Sequence, residues 1–102
     1  MKKKANAVTV VELSEITQGT MSNSAGFQLL TILDKNFEVG NCVQLSLKGS
    51  GAMTSSFLNS SFGELIELYG LDFIKENLTL INYKKSQAEV IKNYLEDVSH
   101  YH

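Results

Sequence analysis

The sequence has 102 residues, 43% of them hydrophobic, which is enough for one globular domain with a modest core. Its formal net charge is −2, and all nine basic side chains are lysine. Arginine is the preferred residue for bidentate contacts with bases and phosphates, so this composition argues against a nucleic-acid-binding protein.

The beginning of the chain does not have the pattern of a signal peptide. The lysine run at residues 2–4 is followed by alternating polar and apolar residues, and no stretch approaches transmembrane length. The only cysteine, Cys42, cannot form an internal disulfide, as is usual in a reducing compartment. We therefore expect a cytoplasmic protein with one domain over residues 1–102 and with flexible ends at residues 1–6 and 99–102.

Three segments predict β-strands. Residues 8–16 are rich in β-branched side chains, residues 43–47 alternate strictly between apolar and polar side chains, and residues 78–83 form the third apolar segment. Strict alternation favours a sheet that is covered by helices on one face and at least partly open on the other.

Helical periodicity lies between and after these strands. Residues 24–36 predict a helix that is capped by its first residue, a serine. The strongest pattern covers residues 55–69 as one apolar stripe, and Gly70 is a typical helix stop. Residues 71–77 predict a short helical turn, and a last helix begins near Ser86.

The resulting order, β-α-β-α-β-α, requires crossover connections between strands. It predicts an α/β fold with a mostly parallel or mixed sheet and with helices mainly on one face. The residues predicted to share one core are Leu45, Leu47, Leu58, Phe62, Leu65, Ile66, Leu80 and Ile91.

The most informative segment is VQLSLKGSGAMTSSFL at residues 43–58. An alternating strand leads through a Gly/Ser loop to the hydroxyl cluster Thr54, Ser55 and Ser56, which opens a helix. The unpaired N–H groups and the dipole at a helix start favour negative charge. A hydroxyl there can cap the helix, worth about 1 kcal/mol, bind an anion or accept a phosphoryl group. The residues alone leave these alternatives open.

This segment resembles the signature of the STAS domain, which is typified by bacterial anti-sigma factor antagonists. In that family an apolar strand leads to an Asp-Ser-Ser/Thr-Gly-Leu motif that opens a helix. Thr54 falls at the position of the Asp and Ser55 at that of the phosphorylated serine. The following positions hold Ser56, Phe57 and Leu58. The Ser-Ser-Phe variant is more similar to the STAS-like family of unknown function called DUF4325, and the resemblance in element order covers residues 24–97.

The resemblance implies a STAS-like fold of about four strands and a non-catalytic regulatory module that docks a protein partner. It makes Ser55 the candidate for phosphorylation, and a histidine-kinase-like ATPase or another regulator the expected partner. The candidate partner- or anion-binding residues are Gly49, Ser50, Gly51, Thr54, Ser55, Ser56 and Phe57. For Phe57 two interpretations stay open, a partly exposed anchor and a core residue.

The alternative function is a small-ligand or anion-binding domain that uses residues 49–56 and the helix start. Convergent free N–H groups around a cavity would favour a ligand, whereas a convex tip would favour a protein surface. A purely structural subunit is the third possibility and would show an apolar patch away from Ser55. No general base accompanies a candidate nucleophile, and His100 and His102 are expected in a frayed tail. We therefore predict no enzyme, metal site or cofactor.

Overall fold

Three parallel strands form the sheet of this domain in a computed structural model that describes residues 7–17, 19 and 22–99. The strands are β1 (Val8–Glu12), β2 (Cys42–Ser46) and β3 (Leu78–Ile81). The helices are α1 (Leu13–Ile16), α2 (Asn23–Glu38), α3 (Ser55–Leu58), α4 (Glu64–Tyr69), α5 (Leu71–Asn77) and α6 (Lys85–Ser99). The predicted parallel α/β arrangement is confirmed.

Several expectations concern the two ends of the chain. Those for residues 1–6, and for His100 and His102, lie outside the described residues. Ser99 is the last residue of α6, so the expected flexible end does not include it.

The number of strands is smaller than expected, because the described residues contain three strands and not about four. The first strand is also shorter than the predicted segment of residues 8–16. After Glu12 the chain turns into α1, which places Leu13 fully inside the core. The N–H of Thr17 donates to the carbonyl oxygen of Leu13 at 3.1 Å, and its hydroxyl donates to the carbonyl oxygen of Gly19 at 2.7 Å. This turn ends β1 after five residues.

The order of the strands is β1-β2-β3, so β2 is central. Leu45 of β2 lies opposite Val11 on one side and Leu80 on the other, in a parallel register. Leu45 is fully buried on the face that packs against the helices, whereas Val8 and Val10 on the opposite face are 60% and 55% exposed. Helices therefore cover one face, as the alternation predicted.

The predicted core is largely confirmed. Of the eight residues that we assigned to it, seven are buried in one apolar cluster, and Leu80 packs against that cluster while partly exposed. The helix α2 adds Leu29, Leu33 and Phe37. Phe37 also makes edge-to-face contacts with Tyr69 and Phe73, at centroid distances of 5.5 and 5.3 Å.

Tyr69 connects α4 to α2. Its hydroxyl donates to a carboxylate oxygen of Asp34 at 2.5 Å. The pKa of Tyr69 is raised to about 12, mainly by burial and further by the hydrogen bond to Asp34 and the charges of Asp34 and Glu38. The phenol therefore stays protonated at neutral pH. This contact fixes the far end of the predicted helix 55–69 against α2.

The predicted helix 55–69 is continuous, but its middle is π-helical. We call residues 55–69 the central helix: it consists of α3, a π-helical segment Asn59–Gly63, and α4. The hydroxyls of Ser60 and Ser61 are buried and donate to the carbonyls of Ser56 and Phe57, at 2.9 and 2.7 Å. In a π-helix each N–H bonds five residues back, and the two hydroxyls satisfy carbonyls of the preceding turn.

The ends of two helices test the capping predictions. Gly70, with a φ of +85°, ends the central helix as predicted. The cap of α2 lies two residues earlier than predicted, because the side chain of Ser22, not of Ser24, accepts the hydrogen bond from the Ala25 N–H at 3.1 Å.

Candidate functional site

Thr54 is the cap of the central helix. Its side-chain oxygen accepts a hydrogen bond from the Phe57 N–H at 3.2 Å, and its carbonyl accepts one from the Leu58 N–H at 3.0 Å. An extended backbone at Thr54 turns directly into helix at Ser55. One of the three clustered hydroxyls is thus fully accounted for by the structure of the helix start.

Ser55 and Ser56 are the first two residues of the central helix, and both are exposed. Within the described residues neither hydroxyl makes a hydrogen bond. The N–H groups of the first helical residues have no partner inside the helix, so the place favours negative charge. The hydroxyl of Ser55 is therefore accessible and is not needed as a cap.

These different roles of Thr54 and Ser55 predict different costs of truncation. Replacing Thr54 with alanine should lower the free energy of unfolding by about 0.5–2 kcal/mol, because the Phe57 N–H loses its acceptor. Replacing Ser55 with alanine should change it by less than about 0.5 kcal/mol. Urea unfolding of the two variants checks this, and equal losses would show that Ser55 shares the capping role.

The loop before the helix is fixed by Gln87, a residue that the sequence did not single out. Its amide donates to the carbonyls of Ser50 and Gly51, at 2.9 and 3.3 Å, and its side-chain oxygen accepts from the Lys84 N–H at 2.9 Å. Gln87 is buried and thereby ties the loop to the start of α6. Glutamine at the third position of a helix often accepts from the N–H of the residue before the helix, here Lys84, and this position was the available signal.

This geometry bears on the alternative of an anion cradle at residues 49–56. Gly49 is exposed with a φ of +79°. The N–H of Ser50 is already bonded to the Leu47 carbonyl at 3.0 Å, and the carbonyls of Ser50 and Gly51 face Gln87. The Ser50 hydroxyl is buried and has no hydrogen-bond partner within the described residues, and it does not face the solvent. These contacts favour a surface turn over a cradle of convergent N–H groups.

Phe57 is not part of the exposed surface, which corrects its place among the candidate binding residues. It is completely buried, and so is Phe62. Residues five apart align in a π-helical turn, so the segment brings Phe57 and Phe62 to the same face. The core interpretation of Phe57 is the right one, and its role is structural.

Two further helices support the start of the central helix. The single hydroxyl proton of Ser60 is shared between the Ser56 carbonyl and the side-chain oxygen of Asn23 in α2, each 2.9 Å away. The hydroxyl of Tyr94 of α6 donates to the side-chain oxygen of Asn59 at 2.6 Å. Burial and, to a smaller extent, the charge of Glu64 raise the pKa of Tyr94 above its ordinary value, so it remains a donor. Neither contact could be predicted from the sequence pattern.

An exposed aromatic side chain lies on the neighbouring helix α2. Phe27 of α2 is 53% exposed and lies one turn beyond Asn23, on the same side of the helix. Because Asn23 contacts Ser60, this side of α2 adjoins the central helix. We call Ser55, Ser56, Asn59 and Phe27 the Ser55 surface.

Within the described ranges every helix is too short or too polar to span a lipid bilayer.

Comparisons with curated proteins and with solved structures found no match. Comparison with protein families matched residues 25–88 to the STAS-like domain of unknown function (DUF4325). The match covers well over half of the chain and includes β2, the loop, the start of the central helix and β3. The chain therefore belongs to the STAS-like DUF4325 family.

Proposed function

We propose that this domain is a non-catalytic regulatory module that docks a protein partner through the Ser55 surface, and that a phosphoryl group on Ser55 releases that partner. The observation that carries the proposal is the division of roles between neighbouring hydroxyls. Thr54 caps the helix, while Ser55 is exposed and makes no hydrogen bond within the described residues. A hydroxyl without a structural role at the helix start is available for modification.

The position of Thr54 supports this proposal. STAS domains hold an aspartate there, and aspartate and threonine are both effective helix caps. Thr54 therefore keeps the local geometry that exposes the next serine, although it lacks the charge of an aspartate. The residue at the position of the family aspartate is therefore the cap of the central helix in this chain.

The helix start also tolerates the modification. A phosphoserine carries close to two negative charges at pH 7, and unpaired N–H groups with the positive end of the helix dipole stabilise such charge. The domain should therefore stay folded when Ser55 is phosphorylated. A partner packed against the same place would meet a new charge that must be desolvated or paired, so binding should weaken.

Phe27 is the candidate anchor for the partner. Aromatic side chains dominate the energy of many protein interfaces, and Phe27 is large, exposed and on the side of α2 that adjoins the central helix through Asn23 and Ser60. Phe27 therefore replaces Phe57 as the candidate anchor residue. The partner class, by resemblance to STAS domains, is a serine-phosphorylating ATPase or a regulator that it controls.

Phosphate mapping tests whether Ser55 is the modified residue. We expect mass spectrometry of the chain isolated from its native cells to locate phosphate on Ser55, and the Ser55→Ala variant to lose it. Ser56 is the matched control, because it is equally exposed and lies in the same peptide. Phosphate on Ser56 alone, or an unmodified chain across growth and starvation conditions, would contradict the proposed switch.

A further inference from the structure

A cleft away from the Ser55 surface lies between α5, β3 and α6. It has a volume of about 260 Å³, and its walls include Leu78 and Leu80 of β3 and Leu95 of α6. These three leucines are only partly buried, although they adjoin the core. The cleft lies beside β3, the last strand in the order of the sheet. For comparison, an apolar protein cavity of about 150 Å³ holds a benzene molecule.

The rim of the cleft has a positive balance of charge. Lys75 of α5 and Lys92 of α6 line it, together with one carboxylate, Glu96. Within the described residues neither lysine forms an ion pair, so Glu96 does not neutralise them by direct contact. Two unpaired ammonium groups therefore stand beside an apolar cleft in a chain whose formal net charge is −2.

We propose that this cleft binds a small organic acid, with its apolar body against the leucines and its carboxylate between Lys75 and Lys92. An apolar cleft with a few convergent polar groups is the usual form of a small-molecule site. The volume accommodates a body of roughly eight carbons, and the charge selects an anionic head group over a neutral or cationic one. This site is separate from the Ser55 surface and independent of the proposed switch.

Octanoate is a suitable probe for the full chain, followed by the amide signals in two-dimensional NMR. We expect saturable shifts centred on Leu78, Leu80 and Leu95. Octanol, of equal length but neutral, should bind more weakly, and octylamine more weakly still. Shifts that spread over the surface without saturation, or equal affinities for octanoate and octanol, would overturn the proposal.

Lysine variants test the charge directly. The double variant Lys75→Gln/Lys92→Gln should bind octanoate roughly five- to tenfold more weakly, since each exposed charge pair contributes modestly. Its affinity for octanol should be unchanged. Lys35→Gln, an exposed lysine of α2, is the matched control and should bind octanoate like the parent. Equal octanoate affinities for the parent and the double variant would overturn the assignment of the carboxylate site.

A variant with a larger side chain in the cleft tests whether octanoate binds against the apolar walls. Ala88 of α6 lines the cleft, and Ala88→Leu should abolish the octanoate shifts by occupying its space. A thermal melt verifies that this variant is folded. Unchanged octanoate binding in a folded Ala88→Leu variant would contradict the site, and the lysine variants retain the test if the filled variant does not fold.

Discussion

Replacing Leu65 with alanine should lower the free energy of unfolding by about 2–5 kcal/mol. Leu65 is completely buried where the central helix packs into the core. Truncation removes three carbon atoms from close packing and leaves a cavity that neighbouring side chains fill only in part. A domain of this size has a total stability of roughly 5–15 kcal/mol, so the variant should lose a large share of it.

Urea or thermal unfolding measures this loss, and Leu68 offers a matched control. Leu68 lies on the same short helix but is 59% exposed, so Leu68→Ala should change the stability by less than about 0.5 kcal/mol. Both variants make the same change from leucine to alanine in a helix, so the change in helix propensity is equal. The difference between their losses of stability therefore measures the effect of burial. If Leu65→Ala and Leu68→Ala unfolded at the same temperature, the assignment of the central helix to the core would be wrong.

Replacing Gly26 with alanine should also be destabilising, by about 1–3 kcal/mol. A Cβ atom at Gly26 would lie 2.6 Å from the Cβ of Ser60 and 2.7 Å from the carbonyl oxygen of Phe57. Both distances are far below contact, and the second partner is backbone, so α2 and the central helix would have to separate. Alanine is otherwise preferred to glycine within a helix by about 0.5–1 kcal/mol, so the expected loss runs against helix propensity.

Gly51 provides the control for this substitution. A Cβ atom there meets no atom within 4 Å, so Gly51→Ala should leave the stability unchanged or raise it slightly. Adding Ser60→Gly to Gly26→Ala removes one of the two clashes and should restore only part of the loss. A Gly26→Ala variant as stable as the parent would mean that the close approach of these helices is not required.

Much of the fold follows from short-range patterns in the sequence. Alternation at residues 43–47 identified the central strand and its buried face, and Gly70 marked the end of the central helix, because each depends on neighbouring residues alone. The end of β1 at Glu12 did not follow. There the burial of Leu13, a long-range contact, outweighs the strand propensity of the segment.

The candidate site was predicted in part for a similar reason. Capping chemistry placed the helix start at Thr54 and Ser55, and the structure confirms that start. An unbroken period of 3.6 residues, however, left Phe57 beside the apolar stripe, and the π-helical turn moves it into the core. Gln87 belongs to α6 and Phe27 to α2. Residue spacing within the segment 43–58 cannot reveal contributions from other elements.

The central claim is that Ser55 controls a docking surface without supporting the fold. Ser55→Asp places a negative charge at a helix start, which should change the stability by no more than about 0.3–1 kcal/mol, in the stabilising direction. Thr79→Asp is the matched control, since Thr79 is also an exposed hydroxyl residue, but it lies in β3 on the face of the sheet that the helices leave open. Both variants should therefore remain folded, which a thermal melt verifies before binding is measured.

The most direct test is the dissociation constant of a partner that has been identified by photo-crosslinking from Asn59, one turn beyond Ser55. It is measured for the parent, Ser55→Ala, Ser55→Asp and Thr79→Asp. We predict binding at least about tenfold weaker for Ser55→Asp, which corresponds to about 1.4 kcal/mol, and within about twofold of the parent for the other two variants. If folded Ser55→Asp bound the partner as tightly as the parent does, the account of Ser55 as a regulatory residue would be contradicted.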